Sequence, residues 1–130
     1  CSNDCTSQFL LMAAATIYMS VMGREGLEGV AALSAQRTRE LVAALTRVKG
    51  VRRCFEGPHF HEAVLTLDRP VAGVLRELAA RGVLGGYDLT EHYPELGAAL
   101  LVCATETKTA ADVDAYAAAL SEALRAARAA

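Results

Sequence analysis

Residues 51–68, VRRCFEGPHFHEAVLTLD, contain two strand-like runs with a turn between them. The runs cover residues 51–56 and 61–68, and GPHF between them supplies Gly57 and Pro58, the residue types that break strands and form turns. Strands joined by a short turn pair in the antiparallel direction. The stretch therefore predicts an antiparallel strand pair.

The next segment toward the C-terminus predicts a helix and then a loop. Residues 69–82, RPVAGVLRELAARG, place Pro70 near a first helical turn and Gly82 at the helix end. Residues 83–97 are rich in glycine and are interrupted by Pro94, which is typical of a loop.

The C-terminal segment predicts a strand and a capped helix. Residues 99–105, ALLVCAT, are continuously apolar and predict a central strand. Thr109 is a suitable N-cap, and Asp112, three residues on, provides the acidic half of a capping box. We expect the last helix to start there.

The N-terminal third predicts two helices. Residues 4–22 follow good capping residues and are apolar on nearly all sides, and Gly23 predicts a stop. Residues 25–47 carry apolar residues at helical spacing with polar residues between them. The predicted order is α-α-β-β-α-β-α, an α+β fold of two layers with the helices on one face of a small sheet.

Length and charge narrow the function. The 130 residues, 53% hydrophobic and 22% charged, are enough for one domain with a real core. A formal charge of −2 without blocks of like charge argues against binding to nucleic acid or an anionic membrane.

The apolar run of residues 9–22 is too short to span a bilayer, which needs about 20 residues. It predicts a buried helix instead. A secretory signal would have a basic leader before the apolar run, whereas Ser2, Asn3 and Asp4 stand there. The expected compartment is the cytosol.

The four cysteines, Cys1, Cys5, Cys54 and Cys103, form no CxxC pair. Their wide spacing favours free thiols over disulfides or a paired-cysteine metal site. Cys1 and Cys5 lie one turn apart near a helix start, where the helix dipole lowers a thiol pKa, but no base stands beside them in sequence.

The histidines raise the alternative of a metal site. His59 and His61 in an extended segment point to one face, whereas Glu62 points to the other and His92 lies on a distant loop. Because a third nearby ligand is missing, we expect no metal site. An enzyme with a metal bound by His59, His61 and His92 is a competing hypothesis.

Two loop segments have alternative interpretations. Gly82, Gly85 and Gly86 follow a helix, whereas phosphate-binding loops precede one, so a turn with positive φ at Gly85, Gly86 or both is favoured. The loop residues Glu91, His92 and Tyr93 offer groups for ligand binding or acid–base chemistry, with a solvated loop as the plainer interpretation. No nucleophile with an adjacent base is evident, so we expect no catalytic residue in this chain.

Three stretches carry a family resemblance: residues 1–27, beginning with Ser2, Asn3, Cys5, Thr6 and Gln8 in the pattern SN-x-CT-x-Q; GPHFHEAVLTL; and residues 82–114, with LGGYDLTEHYPEL and LLVCATET. They resemble the C-terminal region of the P-protein family of the glycine cleavage system, in particular subunit 1 of its split form, glycine dehydrogenase (decarboxylating). The likeness covers nearly the whole chain.

The resemblance implies the small C-terminal α+β domain of a fold type I pyridoxal-phosphate enzyme. Residues 1–130 are then one domain, with a linking helix at about 4–22 and the small domain at about 25–127. It also implies a fragment that lacks its upstream large domain, whose absence leaves the apolar helix without its cover and favours self-association.

The resemblance also bears on chemistry and partners. The complex decarboxylates glycine on pyridoxal phosphate and passes the aminomethyl group to the lipoyl carrier (H) protein, within a heterotetramer. The cofactor lysine belongs to subunit 2, and neither Lys49 nor Lys108 stands in such a motif, so this chain should hold no covalent cofactor. Ser2, Asn3 and Thr6 are expected near a domain or subunit boundary. The alternative is a free-standing module for small-ligand binding or dimerisation.

Overall fold

The computed structural model describes the backbone of residues 2–129 and the side chains of residues 8–127. The elements are the helices α1 (Ser2–Leu45), α2 (Val71–Ala80) and α3 (Ala110–Ala129), the strands β1 (Val51–Arg53), β2 (Glu62–Leu67), β3 (Tyr87–Asp88) and β4 (Ala99–Cys103), and a 3₁₀ turn (Pro94–Leu96). They confirm the predicted α+β class. The chain divides into two compact units, Cys1–Ala32 and Leu33–Ala130.

The first unit is helical, with a break at Gly23. The backbone there has φ 61° and ψ −174°, outside the helical region, and the helix resumes at once. An Arg24–Glu28 ion pair of 2.8 Å spans the first turn after the break. The predicted helix stop at Gly23 is therefore confirmed as a break between two helices that follow one another without a loop, and the label α1 covers both.

The apolar side chains of the first unit are exposed. Phe9 is 66% exposed and Val21 79%, and the same is true of Leu10, Leu11 and Ile17. The prediction of a buried helix over residues 9–22 is wrong for this chain, since composition sets what a helix needs to bury and not what is present to cover it. Among residues 2–129, no helix combines the length and apolar character needed to span a bilayer.

The second unit contains an antiparallel sheet of order β1-β2-β4-β3. Val51 pairs with Leu67, which confirms the predicted β1–β2 pair, and Glu62 pairs with Cys103 across β2 and β4. β4 is an inner strand, as predicted. The predicted loop of residues 83–97 contains the short edge strand β3, whose Tyr87 pairs with Leu101. Two residues are too few to produce the alternating pattern by which a strand is recognised in sequence.

One face of the sheet forms the core. Because side chains alternate along a strand, Leu65 and Leu67 of β2 share a face with Leu100 and Val102 of β4. These side chains are buried together with others from the C-terminal part of α1, from α2 and from α3: Leu41, Val42, Leu45, Val71, Val74, Leu78, Val113, Leu120 and Leu124. The predicted two-layer arrangement follows from this single apolar cluster.

The C-terminal part of α1 is attached to the end of β4 by polar contacts. The fully buried Thr38 hydroxyl donates to the Ala104 carbonyl oxygen at 3.0 Å. One turn earlier, the Ser34 hydroxyl donates to a Glu106 carboxylate oxygen at 3.2 Å and accepts from the Glu106 backbone N–H at the same distance. These bonds hold the segment after β4, which leads into α3.

Thr38→Val keeps the side-chain shape but removes the hydroxyl donor. We expect a loss of about 1–3 kcal/mol in the free energy of unfolding, because the buried Ala104 carbonyl loses its partner. Urea titration followed by circular dichroism measures the change. The matched control is Thr46→Val, whose hydroxyl acceptor, the Val42 carbonyl, also accepts the Thr46 backbone N–H. Equal losses in the two variants would contradict the role assigned to Thr38.

Candidate functional site

A cleft of about 710 Å³ lies in the second unit beside the end of β4. Three segments form most of its wall: residues 82–87, the end of β4, and the first turns of α3. Its apolar lining includes Val83, Leu84, Leu101 and Val113, and its polar lining includes Glu62, Cys103, Lys108, Asp112 and Tyr116. The cleft therefore has an apolar wall with a few polar groups, as small-molecule sites commonly do.

The cleft exists because β3 stops short of the end of β4. The ladder between these strands ends at the Tyr87–Leu101 pair, so Cys103 lies beyond it. Gly86 turns the chain away with φ 130°, and a Cβ at that residue would lie 2.2 Å from the Leu101 carbonyl oxygen. The predicted positive φ is confirmed at Gly86, which directly precedes β3, and glycine is required there by both backbone angle and space.

Tyr116 of α3 holds the other side of this turn. Its hydroxyl donates to the Gly85 carbonyl oxygen. Burial raises the pKa of Tyr116 well above its usual value of 10, so the phenol stays protonated at neutral pH and remains a donor. The tyrosine is a structural element of the wall and is not poised as a base.

Two acidic groups and a thiol give the cleft its chemical character. Burial raises the pKa of the Cys103 thiol, and the negative charge of Glu62 raises it further. Both effects favour the protonated thiol at neutral pH, and a protonated thiol is a weak nucleophile.

The capping box predicted for α3 is confirmed, and it places Asp112 at the cleft. The Asp112 carboxylate accepts from the Thr109 backbone N–H and hydroxyl, both at 2.7 Å, and the Thr109 hydroxyl accepts from the Asp112 N–H at 3.2 Å. The Thr109 backbone bond, followed by its hydroxyl bond, lowers the pKa of Asp112. The carboxylate is thus ionised when it borders the cleft.

Asp112→Asn should make the thermal stability fall less steeply as the pH is lowered. The folded-state pKa of Asp112 lies below the ordinary value of 3.8, so its contribution is complete above that value and disappears as the pH falls through the lowered pKa. Thermal midpoints measured from neutral pH down past 3.8 should therefore fall less steeply in the variant. Asp114→Asn, on the same helix but outside the box, is the control for the loss of one carboxylate from α3.

The loop residues singled out from the sequence do not line the cleft themselves, although His92 contacts Tyr87, which does. The Tyr87 hydroxyl and His92 Nε2 are 2.7 Å apart and their rings are stacked, while the His92 and Tyr93 amides donate to the Leu89 carbonyl. Glu91, His92 and Tyr93 are all exposed, and the lining of the described cleft does not include them. The structure therefore organises this loop around Leu89 and Tyr87.

The two histidines have different neighbours. His59 lines a smaller cleft of about 300 Å³ with Phe55 and Val64, and its Nε2 is buried without a described partner. His61 groups instead with Glu62 and Cys103: one potential ligand atom from each lies within 4.8 Å of the others. The expectation that Glu62 points away from His61 is wrong, because His61 precedes β2 and does not follow its alternation.

The remaining sequence candidates fall outside what the structure describes in atomic detail. The side chains of Ser2, Asn3 and Thr6 lie outside residues 8–127, as do Cys1 and Cys5. Cys54 and Cys103, the cysteines within that range, are free thiols.

Comparison with known proteins defines the class of this domain. The family model described as "Glycine cleavage system P-protein" matches residues 1–120. A crystal structure of glycine decarboxylase (P-protein) of the glycine cleavage system, in inhibitor-bound form, is similar with a TM-score of 0.78 and 35% identity, over 83% of this chain and 24% of that one. The chain belongs to the glycine cleavage system P-protein family.

Curated relatives narrow the likeness to one subunit type. The chain is 54% identical over 124 residues to the probable glycine dehydrogenase (decarboxylating) subunit 1 of Nitrosospira multiformis, covering 95% of this chain and 27% of that protein. It is 53% identical over 116 residues to the Legionella pneumophila subunit 1, covering 89% and 25%, and 54% identical over 125 residues to that of Nitrosomonas europaea, covering 96% and 28%. The chain spans about a quarter of the length of these relatives.

Proposed function

We propose that this chain is the C-terminal domain of subunit 1 of a cytoplasmic glycine decarboxylase with the fold of type I pyridoxal-phosphate enzymes. In the parent complex it supports decarboxylation of glycine and transfer of the aminomethyl group to the lipoyl carrier protein, and it is not catalytic alone. The observation that carries the proposal is the match over residues 1–120, supported by the similarity of the fold to glycine decarboxylase.

The groups in this chain do not fit pyridoxal phosphate as a resident cofactor. Its two lysines, Lys49 and Lys108, are exposed. The lysine that forms a Schiff base with the cofactor aldehyde in such enzymes needs an enclosed site. Lys108 borders the cleft, but the cleft lining contains no arginine, and Glu62 and Asp112 would repel a phosphate. The chemistry is therefore assigned to a cofactor held by a partner subunit 2.

The exposed apolar surface of the first unit supports the role of a linking helix. The side chains of Phe9, Leu10, Leu11, Ile17 and Val21 are all largely exposed, and large exposed apolar surfaces commonly mark contacts with another part of a protein. We assign its cover to an upstream large domain of the parent subunit, in which Ser2, Asn3 and Thr6 stand at the boundary. Without that cover the helix favours self-association.

Capture of the native protein tests this proposal. Antibody raised to this domain is used on cells of the source, the captured chain is weighed intact, and any co-purified partner is scanned for pyridoxal-phosphate absorbance. We expect the captured chain to have about four times the 13.7 kDa mass of this domain, because the domain covers 27% of its relative. We also expect a partner that carries the cofactor. The complex should release labelled CO₂ from glycine when lipoyl carrier protein is added.

The second candidate is a free-standing module that binds a small ligand, and the 710 Å³ cleft is the observation in its favour. The same experiment separates the two. A captured native chain near 13.7 kDa without a coloured partner contradicts the decarboxylase proposal and leaves the module.

A further inference from the structure

His61, Glu62 and Cys103 converge where β2 begins and β4 ends. Glu62 and Cys103 are directly opposite in the antiparallel ladder, so their side chains lie on the same face. His61 is held against β4 because its carbonyl oxygen accepts the Ala104 N–H at 3.1 Å. One nitrogen, one carboxylate oxygen and one sulfur are thereby brought within 4.8 Å of one another.

This combination of donors favours one kind of ligand. Imidazole nitrogen, carboxylate oxygen and cysteine sulfur are the three protein donors of zinc, whereas calcium and magnesium take oxygen donors. Three protein ligands with an open fourth position describe a zinc site accessible to water or to a ligand. A dication also offsets the adjacent negative charges of a carboxylate and a thiolate.

The His61 ring provides a second observation. Its Nδ1 is buried, and no described group forms a hydrogen bond with it. Buried side-chain nitrogens usually have a partner, and an exception calls for an explanation such as an ion. The T-shaped contact with Phe60, at a centroid distance of 4.8 Å, restricts the ring orientation.

We propose that His61, Glu62 and Cys103 bind a zinc ion at the margin of the cleft. Glu62 and Cys103 both line the cleft, so the fourth coordination position of the metal is reachable from it by a small ligand with an oxygen, nitrogen or sulfur donor. The site lies within the second unit and does not depend on the proposed glycine decarboxylase role.

Cobalt binding tests the site. Co²⁺ alone is titrated into the 130-residue chain carrying Cys1→Ser and Cys5→Ser, since that pair of thiols would otherwise compete for the metal. We expect a thiolate-to-cobalt charge-transfer band together with the visible bands of tetrahedral cobalt, and stoichiometric displacement by Zn²⁺. Isothermal titration with Zn²⁺ gives the affinity.

Ligand variants decide between this site and adventitious binding. Cys103→Ala should abolish the charge-transfer band, and it should weaken Zn²⁺ binding by at least about 100-fold, more than loss of an outer-shell partner does. His61→Phe and Glu62→Gln should weaken binding while retaining a cobalt–sulfur band. Cys54→Ala is the matched thiol control and should behave as the parent.

The site is contradicted by two outcomes. One is an unchanged charge-transfer band in Cys103→Ala, and the other is the lack of saturable Co²⁺ or Zn²⁺ binding by a parent chain that circular dichroism shows to be folded. Cys103 and Glu62 are exposed, so their variants should keep the parent's urea midpoint in the absence of metal.

Discussion

Gly86→Ala should remove about 3–4 kcal/mol from the free energy of unfolding, or prevent cooperative folding altogether. A Cβ at residue 86 would lie 2.2 Å from the Leu101 carbonyl oxygen, and 3.2 Å from a Leu100 methyl group. The first contact is with backbone, so a side-chain rotation cannot relieve it. The φ of 130° adds a conformational cost of about 1–3 kcal/mol for any residue with a side chain.

The Gly86→Ala substitution should first disturb the pairing of β3 with β4. β3 must move away from β4 to admit the methyl group, which breaks the Tyr87–Leu101 pair and widens the cleft. Urea unfolding gives the stability, and amide exchange at Tyr87 and Leu89 reports the strand pairing.

Gly73→Ala is the matched control for Gly86→Ala. Gly73 lies inside α2, and a Cβ there meets no atom within 4 Å. The exchange should raise stability by about 0.5–1 kcal/mol, because alanine loses less backbone entropy in a helix. Equal free energies of unfolding for the two variants would show that the close approach at Gly86 does not determine stability.

Leu100→Ala should destabilise the second unit by about 2–5 kcal/mol. Leu100 is 0% exposed and pairs with the fully buried Leu65 of the neighbouring strand. Truncation removes three methyl or methine carbons from the shared core of sheet and helices and leaves a cavity that the strand backbone cannot close. Against a total stability of about 5–15 kcal/mol for a typical domain, this is a large fraction.

Leu84→Ala makes the same chemical change on the surface. Leu84 is 95% exposed, so its truncation should alter the unfolding free energy by less than about 0.5 kcal/mol. Both variants are compared by urea denaturation with the slope of the transition held in common. A loss at Leu84 as large as that at Leu100 would contradict the placement of the core.

Much of the fold was predictable because its signals are local. The capping box of Thr109 and Asp112 depends on a spacing of three residues, and the positive φ at Gly86 depends on a residue type. The β1–β2 pair was predictable from strand-like runs on either side of a segment that contains Gly57 and Pro58. In each case the determining residues are neighbours in the chain.

The cleft and the metal ligands were not predictable in the same way. Cys103 and Glu62 are 41 positions apart in sequence and meet only through the register of β2 and β4. The spacing rule grouped His59 with His61, whereas the structure groups His61 with Glu62 and Cys103, because β2 begins only at Glu62 and His61 does not follow its alternation. For residues 9–22 the apolar pattern alone predicted burial, and only the family resemblance implied that the cover is missing, because a sequence pattern shows that a surface is apolar but not what lies against it.

The bond from Tyr116 to the Gly85 carbonyl lies where the ladder between β3 and β4 ends. If the ladder of β3 and β4 continued by one more hydrogen-bonded pair, Gly85 would stand opposite Cys103 and its carbonyl would accept the Cys103 amide. The phenol takes that acceptor instead. Gly85 is therefore anchored to α3 and not to β4, and a single backbone carbonyl joins the chain before the edge strand to the helix on the other side of the cleft.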